Sequence, residues 1–372
     1  MKTVCKENMC AGCMACVDAC SQNAINIVDN LKYYNAIIDE SKCINCKLCY
    51  RVCQENNTPQ MAKPLEWYQG WAKDSSIRKG SSSGGVCAEI TKSFIKNGGK
   101  VAGCYFKNGE FVFSIAPDTI DSSKFQGSKY IKSNPISIYR EVKESLLAGN
   151  KVLFIGLPCQ VASLKNFCKN NDNLYTIDLI CHGSPSPQII EKFLEQYDCK
   201  LTDFEDIAFR NNNHFQIYKK SGNCYYGIDK DGITDSYLIA FLNCLCYTEN
   251  CYECKYARIE RVGDITLGDS WGSELEKKEQ KKGISLILCQ NQKGMKLINQ
   301  SELMLLDVDL QKAVASNHQL KYPSKKNKNR NVFFELLSSG HSFNKIIKKL
   351  YFKMYIKQMI KRVLLSMRII KI

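Results

Sequence analysis

The sequence predicts a small cysteine-rich α+β domain, then an α/β domain with a mixed, largely parallel sheet, and finally a basic C-terminal helix. Three observations support this. The 372 residues include 21 cysteines but only four histidines, continuous apolar runs alternate with helical segments in mid-chain, and 14 Lys/Arg against one acid follow from Lys321 onward. The predicted parts are residues 1–58 (first domain), 59–79 (linker), 80–325 (second domain) and 326–372 (tail).

The composition is that of a soluble protein with a packed core. Hydrophobic residues make up 44% of the chain and charged residues 24%, which excludes disordered and fibrous classes. No run reaches the ~18 apolar residues of a spanning helix, and the first 27 residues hold no export segment. We therefore expect a cytoplasmic protein, in which dense cysteines are metal ligands or redox groups before they are disulfides.

The cysteines of the first domain form a duplicated CxxCxxCxxxC pattern, with one copy beginning at Cys10 and the other at Cys43. Three cysteines at steps of three wrap one [4Fe-4S] cubane, and the fourth turns toward the other cluster. Zinc is the alternative, but it favours separated cysteine pairs. The predicted sets are Cys10, Cys13, Cys16 and Cys53 for the first cluster, and Cys43, Cys46, Cys49 and Cys20 for the second.

This segment, residues 5–57, resembles a bacterial two-cluster ferredoxin, which implies an α+β ferredoxin-like cluster domain. Ser21 and Gln54 stand where that family usually has proline, a residue that stiffens the turn but ligates nothing. Alternating apolar runs at 24–28 and 34–38 predict a covering hairpin. Cys5 lies outside the pattern and is interpreted as a spare thiol.

The second domain begins with a small-residue loop, Ser81–Gly85, that opens into a helix predicted over residues 86–97. Backbone amides at a helix start suit a phosphate group, although a plain capping turn has the same sequence. Strands at 100–106 and 110–114 are predicted to form a hairpin through Asn108-Gly109. The following Gly127–Tyr130 segment offers a lysine and hydroxyls to a phosphate or ring edge, with a solvated turn as the alternative.

Two continuous apolar runs, 151–156 and 174–180, with helices after each, predict parallel strands covered on both faces. Cys159 and Cys181 follow these strands, and ligands of such sheets collect at the carboxyl ends of strands. The adjacent Cys181 and His182 also suggest a nucleophile and its base. Neighbours on a strand point to opposite faces, however, which argues against that pair.

The last cysteine group has Cx4CxxC spacing and contributes three ligands of a third cluster, Cys246, Cys251 and Cys254. Its fourth ligand is Cys159 as first choice or Cys181 as second; a zinc site remains the alternative. An alternating strand follows. Its Asp264 and Asp269 are candidates for a flavin ribityl chain or ring nitrogen, although strand-end turns also favour aspartate.

In this order, SSSGG, GSKY, GLPCQ, DLICHG, Cx4CxxC and DITLGDSWG resemble the β-subunit family of coenzyme F420 hydrogenases and dehydrogenases, over residues 80–320. The resemblance implies an FAD-binding α/β domain that carries a [4Fe-4S] cluster. Leu157 and Ser270 depart from residues common in that family. By this resemblance the FAD is lined by Ser83, Gly84, Gly85, Ser128, Lys129 and Tyr130, and the third cluster is held by Cys246, Cys251, Cys254 and Cys159.

The expected function is that of an iron–sulfur flavoprotein oxidoreductase, because clusters move single electrons and FAD stores two. We expect a redox partner protein or ferredoxin at one end, and a small organic substrate or a deazaflavin- or quinone-like acceptor at the other. The alternative is a non-catalytic electron-transfer subunit of a larger redox complex.

The sequence of the tail predicts a basic amphipathic helix over residues 343–372. Such a helix suits peripheral contact with an anionic membrane at its inner face; packing on the body or on another subunit is the alternative. Nucleic acid is not an expected partner, since no recognition fold accompanies the basic charge.

Overall fold

The computed structural model describes residues 2–169, 171–211, 214–219 and 233–370; the last two residues of the predicted tail helix lie outside these ranges. The strands are β1 (Ile25–Asp29), β2 (Tyr34–Ile38), β3 (Glu66–Ala72), β4 (Lys100–Lys107), β5 (Glu110–Ala116), β6 (Val152–Gly156), β7 (Leu174–Leu179), β8 (Ile207–Asn211), β9 (His214–Lys219), β10 (Ile265–Asp269), β11 (Ser285–Cys289) and β12 (Leu303–Leu306). The helices are α1 (Ala15–Asp18), α2 (Leu48–Val52), α3 (Ser75–Lys79), α4 (Val86–Lys96), α5 (Thr119–Ser122), α6 (Ile138–Leu147), α7 (Pro158–Cys168), α8 (Pro187–Glu195), α9 (Ser236–Leu242), α10 (Lys277–Gln280), α11 (Gln292–Asn299), α12 (Leu310–Ser316), α13 (Arg330–Ser338), α14 (Phe343–Leu350) and α15 (Phe352–Ser366).

The duplication of the first domain extends to its backbone. Gly12 and Asn45 occupy equivalent positions of the two copies and both have positive φ (68° and 55°), and so do Met14 and Lys47 (61° and 59°). The left-handed residues at Met14 and Lys47 immediately precede α1 and α2. Each cysteine loop therefore winds in the same way, and the predicted hairpin is present as the antiparallel pair β1–β2.

The second domain has an eight-stranded mixed sheet in the order β12-β3-β11-β10-β7-β6-β4-β5. The pairs β10–β7, β7–β6 and β6–β4 are parallel, which confirms the predicted parallel centre. Antiparallel strands complete both sides. Asn108 and Gly109 have φ of 49° and 85°, as the predicted tight turn between β4 and β5 requires.

The segment predicted as a linker contributes an internal strand of this sheet. β3 pairs with β11 on one side and with β12 on the other. Both partners come from the last part of the second domain, so the local sequence carries little signal for this strand. Because two antiparallel steps separate β3 from β10, both strands end at the same edge as β7, β6 and β4.

The single helix predicted over residues 343–372 is two helices, α14 and α15, with different environments. Phe343, Ile346 and Ile347 of α14 are buried in the core of the second domain, where the Phe343 ring contacts the ring of Phe193 at 5.5 Å. Tyr351 (φ −134°, ψ 48°) separates this helix from α15, which buries none of its residues. Among the described residues, no helix combines the length and apolar character needed to cross a bilayer.

The first domain is bound to the second by polar contacts that are buried or partly buried. The Asp18 carboxylate accepts from the Ser137 and Tyr139 amides at the start of α6, at 2.8 and 3.2 Å. The Asn166 side chain of α7 donates to the Asn57 carbonyl at 2.7 Å. These contacts hold the first domain against α6 and α7 of the second domain.

Candidate redox site

The first predicted cysteine set surrounds a small cavity inside the first domain. Cys10, Cys13, Cys16 and Cys53 all line it. Burial, followed by the neighbouring thiols of Cys53 and Cys10, raises the pKa of the Cys13 thiol to about 12. In the described part of the chain, no three Cys, His, Asp or Glu side chains converge as ligands of one ion would. Four sulfurs around a space fit a polynuclear iron–sulfur cluster, whose ligands do not meet at one atom.

Cys5 also borders this cavity, a position that the cysteine pattern does not predict. Hydrogen bonds with Cys10 and Cys53 are the largest causes of the raised pKa of the Cys5 thiol. Cys5 is therefore a neighbour of the first set and not a remote thiol. The fold of the chain beside β2, and not the cysteine spacing, places Cys5 at this cavity.

The second predicted set is also gathered, but at the surface. The pKa of the Cys49 thiol is raised by burial and by the thiols of Cys20, Cys43 and Cys46. Cys46 is exposed, and Ile44 beside it keeps 63% of its surface accessible. The first set is thus buried, whereas the second set reaches the surface at Cys46.

Backbone amides donate to sulfur in equivalent places of the two loops. The Gly12 amide lies 3.4 Å from Cys10 Sγ, and the Asn45 amide lies 3.4 Å from Cys43 Sγ. The Ala24 amide lies 3.3 Å from Cys20 Sγ. Such donors favour the thiolate and raise the reduction potential of a cluster by offsetting its negative charge.

A third cysteine group lies at the carboxyl edge of the sheet, where Cys159 and Cys181 follow β6 and β7. Burial, then the thiols of Cys251 and Cys254, raises the pKa of the Cys181 thiol to about 12. Burial is also the main cause of the raised pKa of Cys159, with Cys254, Cys13 and Cys181 adding to it. Both candidates for the fourth ligand therefore lie in one group with Cys251 and Cys254.

Cys246, predicted as a ligand of the third cluster, lies elsewhere. Its side chain is fully buried in the aromatic core with Tyr237 and Tyr252, and its charged neighbours are Cys244 and Arg330. The Cx4CxxC spacing suggested three local ligands, but packing turns Cys246 into the core. The structure gathers Cys159, Cys181, Cys251 and Cys254 instead.

The first and third groups are linked through α7. This helix begins next to Cys159, and one turn later Ser163 Oγ donates to Cys13 Sγ at 3.1 Å in a buried contact. Negative charge on Cys13 also raises the pKa of the Cys159 thiol. Two cysteine groups from different domains are thus neighbours across a single helical turn.

An open cavity of about 510 Å³ borders Cys254 on the outside. Three cationic side chains, Lys255, Arg258 and Lys321, line it together with Thr58, Met61 and Ala257. The third group therefore has a positively charged route to the surface.

Ser83 and Gly84 of the loop that is predicted to line FAD contact neighbouring strands. Ser83 Oγ donates to the Ile284 carbonyl at 3.0 Å, and the Gly84 amide donates to Ser285 Oγ at 3.1 Å. A Cβ at Gly84 would lie 2.4 Å from the Gly70 carbonyl oxygen, so strand packing requires this glycine. Gly85, with φ of 80°, immediately precedes α4.

The predicted Ser128–Tyr130 segment lies beside that loop. The Ser128 amide donates to Ser82 Oγ at 3.0 Å. The Lys129 ammonium donates to two backbone carbonyls of the preceding turn. The Tyr130 ring stacks on Phe241 at 4.7 Å. The Ser128–Ser82 hydrogen bond thus joins two segments that are distant in sequence.

Asp269 ends β10 at the same edge, paired with a residue that the motifs did not indicate. Arg210 Nη1 lies 2.6 Å from Asp269 Oδ2, and the arginine side chain is only 3% exposed. Burial raises the pKa of Tyr130, which is also influenced by Arg210 and Asp269. Burial lowers the pKa of His182 to about 4, and the negative charge of Asp269 acts in the opposite direction. Cys181 faces the third cysteine group, so the structure does not support the Cys181–His182 nucleophile pair.

Asp264, predicted as a flavin contact, is at the opposite end of β10. Its carboxylate accepts from the Thr176 amide at 2.7 Å, the Thr176 hydroxyl at 2.8 Å and the Asn291 side chain at 2.8 Å. Five residues of extended chain, roughly 16 Å, separate it from Asp269. Asp264 therefore joins β7, β10 and the start of α11, and its role is structural.

Two known family models match parts of the chain. Residues 149–307 match the family model for the C terminus of the coenzyme F420 hydrogenase/dehydrogenase beta subunit. Residues 9–57 match a 4Fe-4S dicluster domain. Both resemblances drawn from the motifs are confirmed.

One curated relative is a coenzyme F420-dependent sulfite reductase from Methanocaldococcus jannaschii, 23% identical over 311 residues. The match covers 80% of this chain and 46% of the relative, so the chain spans less than half of that protein. A chain of the F420-reducing [NiFe] hydrogenase complex from Methanosarcina barkeri has a similar fold, with a TM-score of 0.51 and 17% identity. That likeness covers 74% of this chain and 94% of the other.

Proposed function

We propose that this chain is an iron–sulfur flavoprotein oxidoreductase related to the coenzyme F420 hydrogenase/dehydrogenase beta subunits, on the premise that residues 149–307 match the C-terminal model of that family and residues 9–57 match a 4Fe-4S dicluster domain. It would carry three [4Fe-4S] clusters and FAD. Clusters supply single-electron transfer, and FAD couples it to a two-electron hydride exchange. The acceptor or donor would be a small organic substrate or a deazaflavin- or quinone-like molecule.

One observation carries this proposal: three groups of four cysteines follow one another from the surface to the edge of the sheet. Cys20 and Cys49 of the second set pack against the buried cluster of residues that contains the four cysteines of the first set. Cys159 and Cys254 of the third group pack against the same buried cluster. Single-electron carriers in such a series have no other evident use than conduction.

The residues of this chain have distinct roles in the proposal. The three cysteine groups hold the clusters, with Cys159, Cys181, Cys251 and Cys254 as the third set. FAD would be held by Gly85, Ser128, Lys129, Tyr130 and Asp269. Burial of its four cysteines keeps water away from the first set.

Anaerobic purification with iron, acid-labile sulfide, zinc and FAD counted per chain tests the proposal directly. We expect about twelve irons, from four per cluster, and one FAD. The hydride step is tested by reducing the protein chemically and then measuring whether it reduces a deazaflavin or quinone-like acceptor. Colourless protein holding zinc and no flavin contradicts the proposal.

The basic cavity at Cys254 favours a second candidate, an electron-transfer subunit of a larger redox complex. Lys255, Arg258 and Lys321 offer an acidic partner a route to the third group. In that case the purified chain takes up iron but reduces no small acceptor until a partner is added.

We further propose that the external carrier docks at the second set. Ile44, Leu48 and Tyr50 are exposed to 63%, 39% and 51%, an apolar patch beside Cys46 that has the neighbouring cations Lys47 and Arg51. This suits an acidic electron carrier such as a ferredoxin. The double variant I44S/Y50S is expected to slow reduction by ferredoxin about tenfold while leaving iron content and reduction by dithionite unchanged; an unchanged rate with ferredoxin contradicts this surface.

The last helix suggests a peripheral membrane contact. Phe352, Ile360 and Val363 of α15 are 57%, 55% and 50% exposed on a helix whose charged residues are all basic. Such a helix suits an anionic lipid surface. Flotation with anionic vesicles should require α15, so a chain ending at Leu350 should stay unbound. Equal flotation of both chains removes the proposal.

A further inference from the structure

One buried cation lies between the first and third cysteine groups. Lys132 is 6% exposed, and its amide donates to the Pro185 carbonyl at 3.0 Å. Its side chain crosses to the first domain, where Nζ donates to the Ala11 carbonyl at 2.9 Å in a buried contact. Ala11 follows Cys10 directly, and Pro185 lies a short loop beyond Cys181.

The ammonium is poorly compensated by the protein. Besides the Ala11 carbonyl, its neighbour is the face of the Tyr34 ring, with Nζ 5.4 Å from the centroid. In the described part of the chain, no carboxylate forms a salt bridge with it. An ammonium withdrawn from water without an anion is costly. A protein that retains such a group implies that negative charge of another kind lies close by.

Lys132 lies between cysteines of two different sets. Its Nζ bonds to the carbonyl of Ala11, the residue after Cys10 of the first set. Its amide bonds to Pro185, and the carbonyl of the adjacent Ser184 lies 3.9 Å from Cys251 Sγ of the third set. A [4Fe-4S] cluster held by four thiolates carries negative charge that increases on reduction. Both clusters of the proposed function would therefore face the same cation.

We propose that Lys132 is a positioning residue that serves as the shared counter-ion of the first and third clusters. This inference rests on the proposed function. Its ammonium stabilises the reduced state of both clusters, and its bond to Ala11 holds the first cysteine loop against the second domain. Electron transfer across the domain contact then proceeds between two centres whose potentials one charge raises together.

The test is K132Q in the full chain, with potentials measured by anaerobic titration followed by EPR. Glutamine can still donate to the Ala11 carbonyl but carries no charge. Removing a positive charge disfavours the reduced clusters, so we expect the reduction equilibrium constants of the first and third clusters to fall about tenfold, or 59 mV for one electron. The second cluster, exposed to water, is expected to change less than twofold. K293M is the matched control, since Lys293 also donates to backbone carbonyls but at the opposite end of β7.

Unchanged potentials in a K132Q protein with full iron overturn the inference. If K132Q loses iron, K132R decides: restored iron with unshifted potentials supports a role of the charge, and iron loss equal to that of K132Q overturns it. Wild-type protein without iron would instead contradict the proposed function, so the two failures are distinguishable.

Discussion

Arg261 and Asp178 form a buried ion pair beneath the third cysteine group. Arg261 Nε and Nη2 lie 3.0 and 2.7 Å from Asp178 Oδ1, and the two side chains are 2% and 0% exposed. The Gly263 amide donates to the other carboxylate oxygen at 2.7 Å, and Arg261 Nη1 donates to the Tyr256 carbonyl at 2.6 Å. The pair thus ties the end of β7 to the loop that carries Cys254.

R261M is expected to lower the free energy of unfolding by about 3–5 kcal/mol, because it leaves the Asp178 carboxylate buried without its cation. Denaturant unfolding of the anaerobic holoprotein measures this. K192M is the control, since Lys192 and Glu195 are an exposed pair, 42% and 57% accessible, and such pairs contribute less than about 1 kcal/mol. Equal losses of unfolding free energy in the two variants would contradict a larger contribution from the buried pair.

C181S and C246S separate the ligand set of the structure from that of the sequence motif. C181S is expected to lose about four irons, because it removes one of four gathered thiolates. C246S is expected to keep them, because Cys246 packs in the aromatic core. Iron analysis and EPR of both variants give the answer, and the reverse result restores the motif assignment.

C20S and C53S test the crossed pairing of the first domain. C20S is expected to remove the exposed cluster only. C53S is expected to remove the buried cluster and, since that cluster fills the centre of the domain, to unfold residues 1–58. Iron counts with limited proteolysis distinguish the two, and the pairing fails if C20S abolishes the buried cluster's signal.

R210M is expected to weaken FAD binding about tenfold or more. The variant leaves Asp269 without the cation 2.6 Å away and removes the group beside the Tyr130 ring that the proposed flavin surface includes. Fluorescence titration of flavin-stripped protein measures the dissociation constant. R258Q changes an exposed arginine, 53% accessible, and should leave it unchanged; identical affinities for R210M and wild type argue against this surface.

F343A and F352A distinguish the two tail helices. Phe343 is completely buried, so its truncation should cost about 3–5 kcal/mol of unfolding free energy. Phe352 is 57% exposed, and its truncation should cost less than about 0.5 kcal/mol. Thermal or denaturant unfolding compares the variants. A comparable loss for F352A would mean that α15 is packed against a surface in solution.

Local spacing determined those features whose causes are local. The duplicated cysteine pattern predicts two loops of the same shape, and the matching left-handed residues Gly12 and Asn45 bear this out. Asn108-Gly109 predicts the β4–β5 turn, because only such residues accept its backbone angles. Apolar runs predict β6 and β7, and so place Cys159 and Cys181 at one edge.

Only the tertiary structure decided which distant groups meet. β3 became a strand through partners from the far end of the second domain, and Arg210 met Asp269 from a separate hairpin. Cys181 joined Cys251 and Cys254 while Cys246, nearer to both in sequence, turned into the core. The physical reason is that spacing limits how a short loop winds, whereas the burial of side chains around a common core selects which loops come together.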